Sequence, residues 1–290
     1  MTARTLATCV ADTKCLLGEG ALWDAARGGL WWGDIKSARI HWLDADGSLG
    51  SVQMPQPVTA LALQPDGALV GASAAGVGSV GHEQASFDLR HAFGDEPEGN
   101  RSNDGKVDRH GAFWVGTMDD SESEARGAVW RIGGDAGATR HATGFGVPNG
   151  PAFDSRGAMF LADSGRQRIF RFAEGRPNDT RDAHVWARFG EADGYPDGMT
   201  VDADDHLWVA FWDGWCVRRL SPDGRVVAEV EVPVQRPTCP TFGGDDLRTL
   251  FVTSARIGLN DEALLAQPKA GGVFAGDVGV EGRAADRFAA

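Results

Sequence analysis

A short apolar phrase with the chemistry of a β-strand recurs along the chain: LWWGD at 30–34, ALVGA at 68–72, FWVGT at 113–117, MFLAD at 159–163, LWVAF at 207–211 and LFVTS at 250–254. The phrases are rich in aromatic and β-branched residues, and polar turn segments such as Pro65-Asp66-Gly67, Asp154-Ser155-Arg156-Gly157 and Ala203-Asp204-Asp205 precede them. Each unit therefore opens with two strands joined by a tight turn. Successive phrases begin 38, 45, 46, 48 and 43 residues apart, the period range of propeller blades.

A third strand follows each phrase: RIHWL at 39–43, VGSVG at 77–81, AVWRI at 128–132, RIFRF at 168–172, CVRRL at 216–220 and GVFAG at 272–276. Less regular segments, SVQMP at 51–55 and RVVAEVEV at 225–232 among them, supply a fourth. Helical periodicity is nearly absent, with ALLA at 263–266 as a single candidate turn. The pattern predicts an all-β fold, a six-bladed β-propeller of four-stranded antiparallel blades forming one domain over residues 1–290. The left-over strand LATCVA at 6–11 is expected to complete the last blade and remove an open edge, with the tail 279–290 competing for that role.

The same register carries the candidate chemistry. Five residues before a turn-forming position stand Glu19 (before Asp24), Asn103 (before Asp108), Asn149 (before Asp154) and Asp197 (before Asp202). Thr59 and Cys239 fill the two remaining equivalent slots. In a ring of blades these slots converge on the axis. Two carboxylates and two carboxamides gathered there without a counter-charge would carry a heavy desolvation cost, so a central metal site with one divalent cation is expected. All four are oxygen donors and the seven histidines show no ligand spacing, which points to Ca²⁺, Mg²⁺ or Mn²⁺, with Zn²⁺ or Fe²⁺ accessible through the carboxylates.

Composition narrows the function classes. A net charge of −13 with no Lys/Arg cluster argues against nucleic acid or an anionic membrane surface as partner. The chain starts without the apolar run of a signal peptide and has no stretch long enough to span a bilayer, so a cytoplasmic location is expected. Cys9, Cys15, Cys216 and Cys239 lack C-x-x-C spacing and read as small buried residues. Gly76–Gly81 matches G-x-G-x-x-G, but no amphipathic helix follows it, and there is no G-x-S-x-G elbow. Asn178-Asp179-Thr180 is a sequon that a cytoplasmic protein would not use. Most of the 10 tryptophans are expected between blades, with Trp212 and Trp215 the better candidates for stacking on a sugar. The polar loop 119–127 is expected on one rim of the ring.

LGEG at 17–20, RSNDGKVD at 101–108, GTM at 116–118, VPNGPAFD at 147–154 and YPDGMTVD at 195–202 resemble, in order and spacing, the senescence marker protein/gluconolactonase family, which includes regucalcin and bacterial sugar lactonases. The resemblance implies hydrolysis of a small-molecule sugar lactone, such as a glucono-, galactono-, arabinono- or xylonolactone. It also implies one divalent cation held by Glu19, Asn149 and Asp197, with Asn103 on metal or substrate and Arg101 on substrate. Asp120 lies about where relatives carry an acidic residue for sugar hydroxyls, a role that Asp119 or Glu122 could also fill. Ala21 and Ser102 stand where prolines are usual, which bears on loop shape and substrate choice. Asp197 is the expected general base, through a free carboxylate oxygen. The rival readings are a metal-dependent aryl-ester or phosphotriester hydrolase on the same scaffold, or a calcium-binding propeller without catalysis.

Overall fold

In the computed structural model, which describes residues 3–133, 137–173, 177, 179 and 183–289, the first strand of four of the six blades ends at or just before an aspartate that closes a turn. Asp108 accepts from the backbone N–H groups of His110 and Ala112 and from Trp114 Nε1 at 2.8 Å. Asp202 repeats this with Asp204 N, His206 N and Trp208 Nε1, and adds Arg219 Nε at 2.7 Å. Asp154 caps Arg156 and Ala158, and Asp24 caps Ala26 and Arg27. These aspartates hold the first strand of a blade against the second, and in the third and fifth blades the tryptophan at the second position of the next strand's phrase is tied to the same carboxylate. Asp108→Ala leaves three donors without that acceptor, two of them buried; we expect it to cost roughly 1–3 kcal/mol, read as a lower urea midpoint at unchanged m-value.

Six blades of four antiparallel strands follow from these units, in chain order from axis to rim except for the N-terminal outer strand of the sixth, and the fifth carries one added parallel strand at its rim. The first blade comprises Gly18–Asp24, Gly29–Asp34, Arg39–Leu43 and Leu49–Gln53, and the second Ala60–Leu63, Leu69–Ser73, Gly76–Gly81 and Ser86–Ala92. The third comprises Asn100–Val107, Phe113–Asp119, Gly127–Ile132 and Ala138–Phe145, and the fourth Pro148–Phe153, Met159–Asp163, Arg168–Phe172 and Val185–Arg188. The fifth has Tyr195–Val201, Leu207–Trp212, Cys216–Leu220 and Val226–Glu231; the sixth has Pro237–Gly243, Thr249–Ser254 and Val273–Asp277. First strands of neighbouring blades touch all the way round, the sixth against the first included, so the ring is closed. The fold is the six-bladed propeller that the pattern predicts, and Asp261–Ala266 is an α-helix capped by the Asn260 side chain.

The ring is closed by the N-terminal segment. Thr8–Ala11 pairs antiparallel with Val273–Asp277 as the outer strand of the sixth blade. What reads as one strand at 6–11 is broken at Ala7, and Ala3–Leu6 instead runs parallel to the outer strand of the fifth blade. The two halves thus bridge the fifth and sixth blades. The C-terminal tail adds no strand: it crosses the C-terminal ends of the first strands, with Ala203 N–H donating to Glu281 O, and Phe288 N–H donating to Leu63 O.

Apolar residues form six clusters among the described residues, and each lies between two adjacent blades. Trp32, Trp114 and Trp208 are buried there, as expected for inter-blade core. Gly76–Gly81 is the third strand of the second blade, where a Cβ on Gly78 would lie 2.4 Å from Asp88 O; close strand approach explains its glycine. No described helix is long and apolar enough to cross a membrane. Asn178 and Thr180 of the sequon lie outside the described residues.

Candidate functional site

A β-bulge marks the predicted slot in five of the six first strands. Pairing skips between Glu19 and Leu22, between Ser102 and Gly105, between Asn149 and Ala152, between Pro196 and Met199, and between Pro237 and Pro240. In each, one extra residue on the inner strand bends it and re-aims a side chain. Left-handed glycines follow two of the slot residues directly, Gly20 at φ 63° and Gly150 at φ 84°, a conformation that other L-residues adopt at a cost. Glu19, Asn103, Asn149 and Asp197 are all buried and line one cavity of about 390 Å³ at the N-terminal ends of the first strands. Four sequence-predicted residues from four blades therefore meet.

A directed chain of hydrogen bonds fixes the two carboxamides. Arg101 Nη1, which can only donate, bonds Asn103 Oδ1 at 2.7 Å. Asn103 must then present its Nδ2, which donates to Asn149 Oδ1 at 2.8 Å and to Pro148 O at 2.9 Å. Asn149 Nδ2 in turn donates to Ser164 Oγ at 2.9 Å. Thr59, in the slot of the second blade, donates to Ser102 Oγ at 2.7 Å, and no bulge aims it to the axis.

The carboxylates are under electrostatic load. Burial first, then the neighbouring charges of Asp197 and Asp104, raise the pKa of Glu19 well above the usual carboxylate range. Burial, followed by Asp104, does the same to Asp197. Asp104, directly below, is itself pushed up to about 6 by burial, though the Gly105 and Gly150 N–H groups both donate to it. Among the described residues no Lys, Arg or His forms an ion pair with Glu19 or Asp197. Buried like charges, oxygen donors throughout and no paired cation fit a divalent ion that Glu19, Asn149 and Asp197 could hold, with Asn103 beside them.

Side chains on the second-to-third strand connections complete the mouth. Lys36, Glu122, Ser164, Trp212 and Ile257 all line the cavity, and all come from the end of a blade's second strand or just beyond it. That shared origin is the signal sequence reasoning missed for Lys36 and Ser164: a strand pair that starts at the axis mouth returns to it. Asp120 bridges the mouth from outside the cavity lining, accepting from Arg101 Nε at 2.6 Å and Lys36 Nζ at 2.9 Å. Of the three acidic residues weighed for the 119–127 loop, Asp119 is turned inward, where Arg126, Ser121 and Ser123 hold its carboxyl well below the usual range. Glu122 is the one that lines the cavity, at a positive φ of 57°. Trp212 lines it too, with the Arg236 guanidinium 4.7 Å over its ring, whereas Trp215 is exposed elsewhere.

Two other groups lie off this centre. Cys239 is buried and faces a separate cavity of about 300 Å³ farther along the channel, where burial pushes its thiol well up. Cys15, Asp34 and His41 offer ligand atoms within 4.8 Å of one another. Asp34 there accepts from Leu16, Leu17 and Ser37 N–H, as Asp163 does from Gly146 and Val147, so this carboxylate serves a repeated clamp of the blade.

Comparison with known proteins matches this architecture. The profile of the SMP-30/gluconolactonase/LRE-like region covers residues 17–256. The chain is 38% identical over 297 residues to an L-arabinolactonase of Azospirillum brasilense, spanning 98% of this chain and 95% of that protein. It is 34% identical over 289 residues to a 6-deoxy-6-sulfogluconolactonase of Pseudomonas putida, spanning 97% and 98%. A solved structure of regucalcin from Agrobacterium tumefaciens, described as a calcium-binding protein, superposes with a TM-score of 0.92 at 30% identity over 100% of both chains.

Proposed function

The chain belongs to the SMP-30/gluconolactonase/LRE-like family, and on that footing we propose that it is a carboxylic-ester hydrolase that opens a sugar lactone to the sugar acid in the 390 Å³ cavity. The substrate in this reading is an aldonolactone of the glucono-, galactono-, arabinono- or xylono- type, and the cofactor one divalent cation held by Glu19, Asn149 and Asp197. The observation that carries it is the meeting of Glu19, Asn103, Asn149 and Asp197 around a pocket of single-sugar size, with Arg101 at its mouth.

When bound, the cation would supply Lewis acidity toward the lactone carbonyl and toward water. The residues supply the rest. Asp197 takes a proton from the attacking water as its oxygen bonds the carbonyl carbon; when the tetrahedral adduct collapses and the ring C–O bond breaks, protonated Asp197 gives that proton to the leaving ring oxygen, which becomes the open-chain alcohol. Arg101, with Asp120 holding its guanidinium, orients the ring hydroxyls; Glu122 accepts from one of them. Trp212 offers an apolar face to the sugar ring.

The test is metal analysis of the purified protein joined to a panel of aldonolactones, aryl esters and phosphotriesters, with hydrolysis followed by acid release and corrected for the spontaneous rate. An aldonolactone should lead in kcat/KM by orders of magnitude, and chelation should suppress the activity. An aryl ester or phosphotriester in first place, or no turnover with stoichiometric metal, would replace this reading. Arg101→Lys removes the fork that bonds Asp120, Asn103 and Ser102 O at once, and kcat/KM is expected to fall about 10- to 100-fold, mostly through KM, in steady-state kinetics.

A further inference from the structure

Ser164 lies at the first turn after the second strand of the fourth blade, buried, and lines the cavity through a hydroxyl with two bonds. It accepts from Asn149 Nδ2 at 2.9 Å and donates to Pro196 O at 2.5 Å. A hydroxyl has one proton, so the direction of the second bond settles the first. With its proton committed to the Pro196 carbonyl, Ser164 can only accept from Asn149, which must point its amide nitrogen away from the axis and its Oδ1 inward.

The same orientation is imposed from the opposite side. Arg101 has donors only, so Asn103 turns its oxygen to Arg101 and its nitrogen to Asn149 Oδ1. Asn149 is thereby held between a donor on one side and an acceptor on the other. Pro196 is also the residue before Asp197, at the start of the fifth blade's first strand. One hydroxyl therefore joins Asn149, read above as a cation ligand, to the backbone carbonyl just before Asp197, across a blade boundary.

We infer that Ser164 is a positioning residue that locks the Asn149 amide with its oxygen toward the axis and pins the strand carrying Asp197, so that the cation site is preorganised before the ion arrives. The inference rests on the reading of Asn149 and Asp197 as ligands. Without Ser164 the Asn149 amide would be oriented from the Asn103 side alone, its Nδ2 would lose its acceptor, and a flip that turns this donor toward the cation would become easier. Partners of this kind, one bond removed from a ligand, change metal affinity by about 10- to 100-fold when removed.

The experiment titrates metal-free protein with Mn²⁺ alone by calorimetry and melts the same metal-free samples. For Ser164→Ala we expect Mn²⁺ affinity to fall about 10- to 100-fold while the metal-free melting temperature falls by no more than a few degrees, and with Mn²⁺ saturating, kcat toward the best aldonolactone to fall less than the affinity. Ser164→Cys, similar in size and a weak hydrogen bonder, should behave in the same way and serves if the alanine variant does not fold. Asn149→Ala runs beside them. If Asn149→Ala weakens Mn²⁺ binding more than tenfold and the Ser164 variant that folds does so less than twofold, the positioning role is overturned and the ligand reading stands. If Asn149→Ala leaves Mn²⁺ binding intact, the ligand reading itself fails.

Discussion

Asp197→Asn is expected to lower kcat/KM for the preferred aldonolactone by about 10³-fold or more at saturating metal, while the protein still folds. The substitution keeps the shape and one ligating oxygen but removes the base, and an amide cannot take a proton from water at neutral pH. Its effect on stability should have the opposite sign. Asp197 is a buried carboxylate with Asp104 and Glu19 close by, and among the described residues it has no ion-pair partner. Replacing it by a neutral amide relieves that burden, so the metal-free variant should melt no lower than the parent and its urea midpoint should not fall. Steady-state kinetics beside calorimetric melting separate the two effects. Turnover within tenfold of the parent would remove Asp197 from the chemistry, and a collapsed melting temperature would make it a structural residue instead.

Chelation should destabilise the protein, and by more at high pH than at low. The pKa values of Glu19, Asp197 and Asp104 are all raised in the folded protein, the last to about 6, with burial as the leading cause in each. The folded state therefore holds these protons more tightly than the unfolded chain. The stability they contribute is complete below the ordinary carboxylate range, near pH 4, and is lost as pH climbs through the raised values. Without metal the protein should thus weaken from pH 5 to pH 8, where the carboxylates ionise against one another. A bound cation supplies the missing positive charge and favours the ionised forms, so the loaded protein should show little of this slope.

At 100-fold excess over its dissociation constant a ligand adds about 2.7 kcal/mol, which for a chain of this size corresponds to roughly 4–5 °C in melting temperature. The gap between loaded and chelated samples should reach that range at pH 8 and shrink toward pH 5 in thermal melts. An equal gap at both values would place the ion somewhere other than among these three carboxylates.

Much of this molecule is written locally. The strand phrases, their spacing and the turn aspartates Asp24, Asp108, Asp154 and Asp202 specify four-stranded units, because strand-forming apolar runs and turn chemistry act over a handful of neighbouring residues. Six such units each leave two apolar faces uncovered, and only a closed ring buries them all, so the propeller follows from the repeat. Rotational repetition then makes equivalent slots converge. For that reason Glu19, Asn103, Asn149 and Asp197 could be grouped from sequence although 178 residues separate the first from the last.

What the tertiary structure alone decided depends on contacts between units that share no register. The break at Ala7, which sends one half of the N-terminal segment to the fifth blade and the other to the sixth, reflects the hydrogen-bonding edges that were left to cover. The inward turn of Asp119 and the outward bridge of Asp120 between Lys36 and Arg101 follow from how one irregular loop folds against another blade. Ser164 joins Asn149 to the carbonyl before Asp197, a link between consecutive blades that no spacing records. Periodicity fixes where side chains must go around an axis, because it repeats the same local physics. Which neighbour each one meets there is set by three-dimensional packing between different blades.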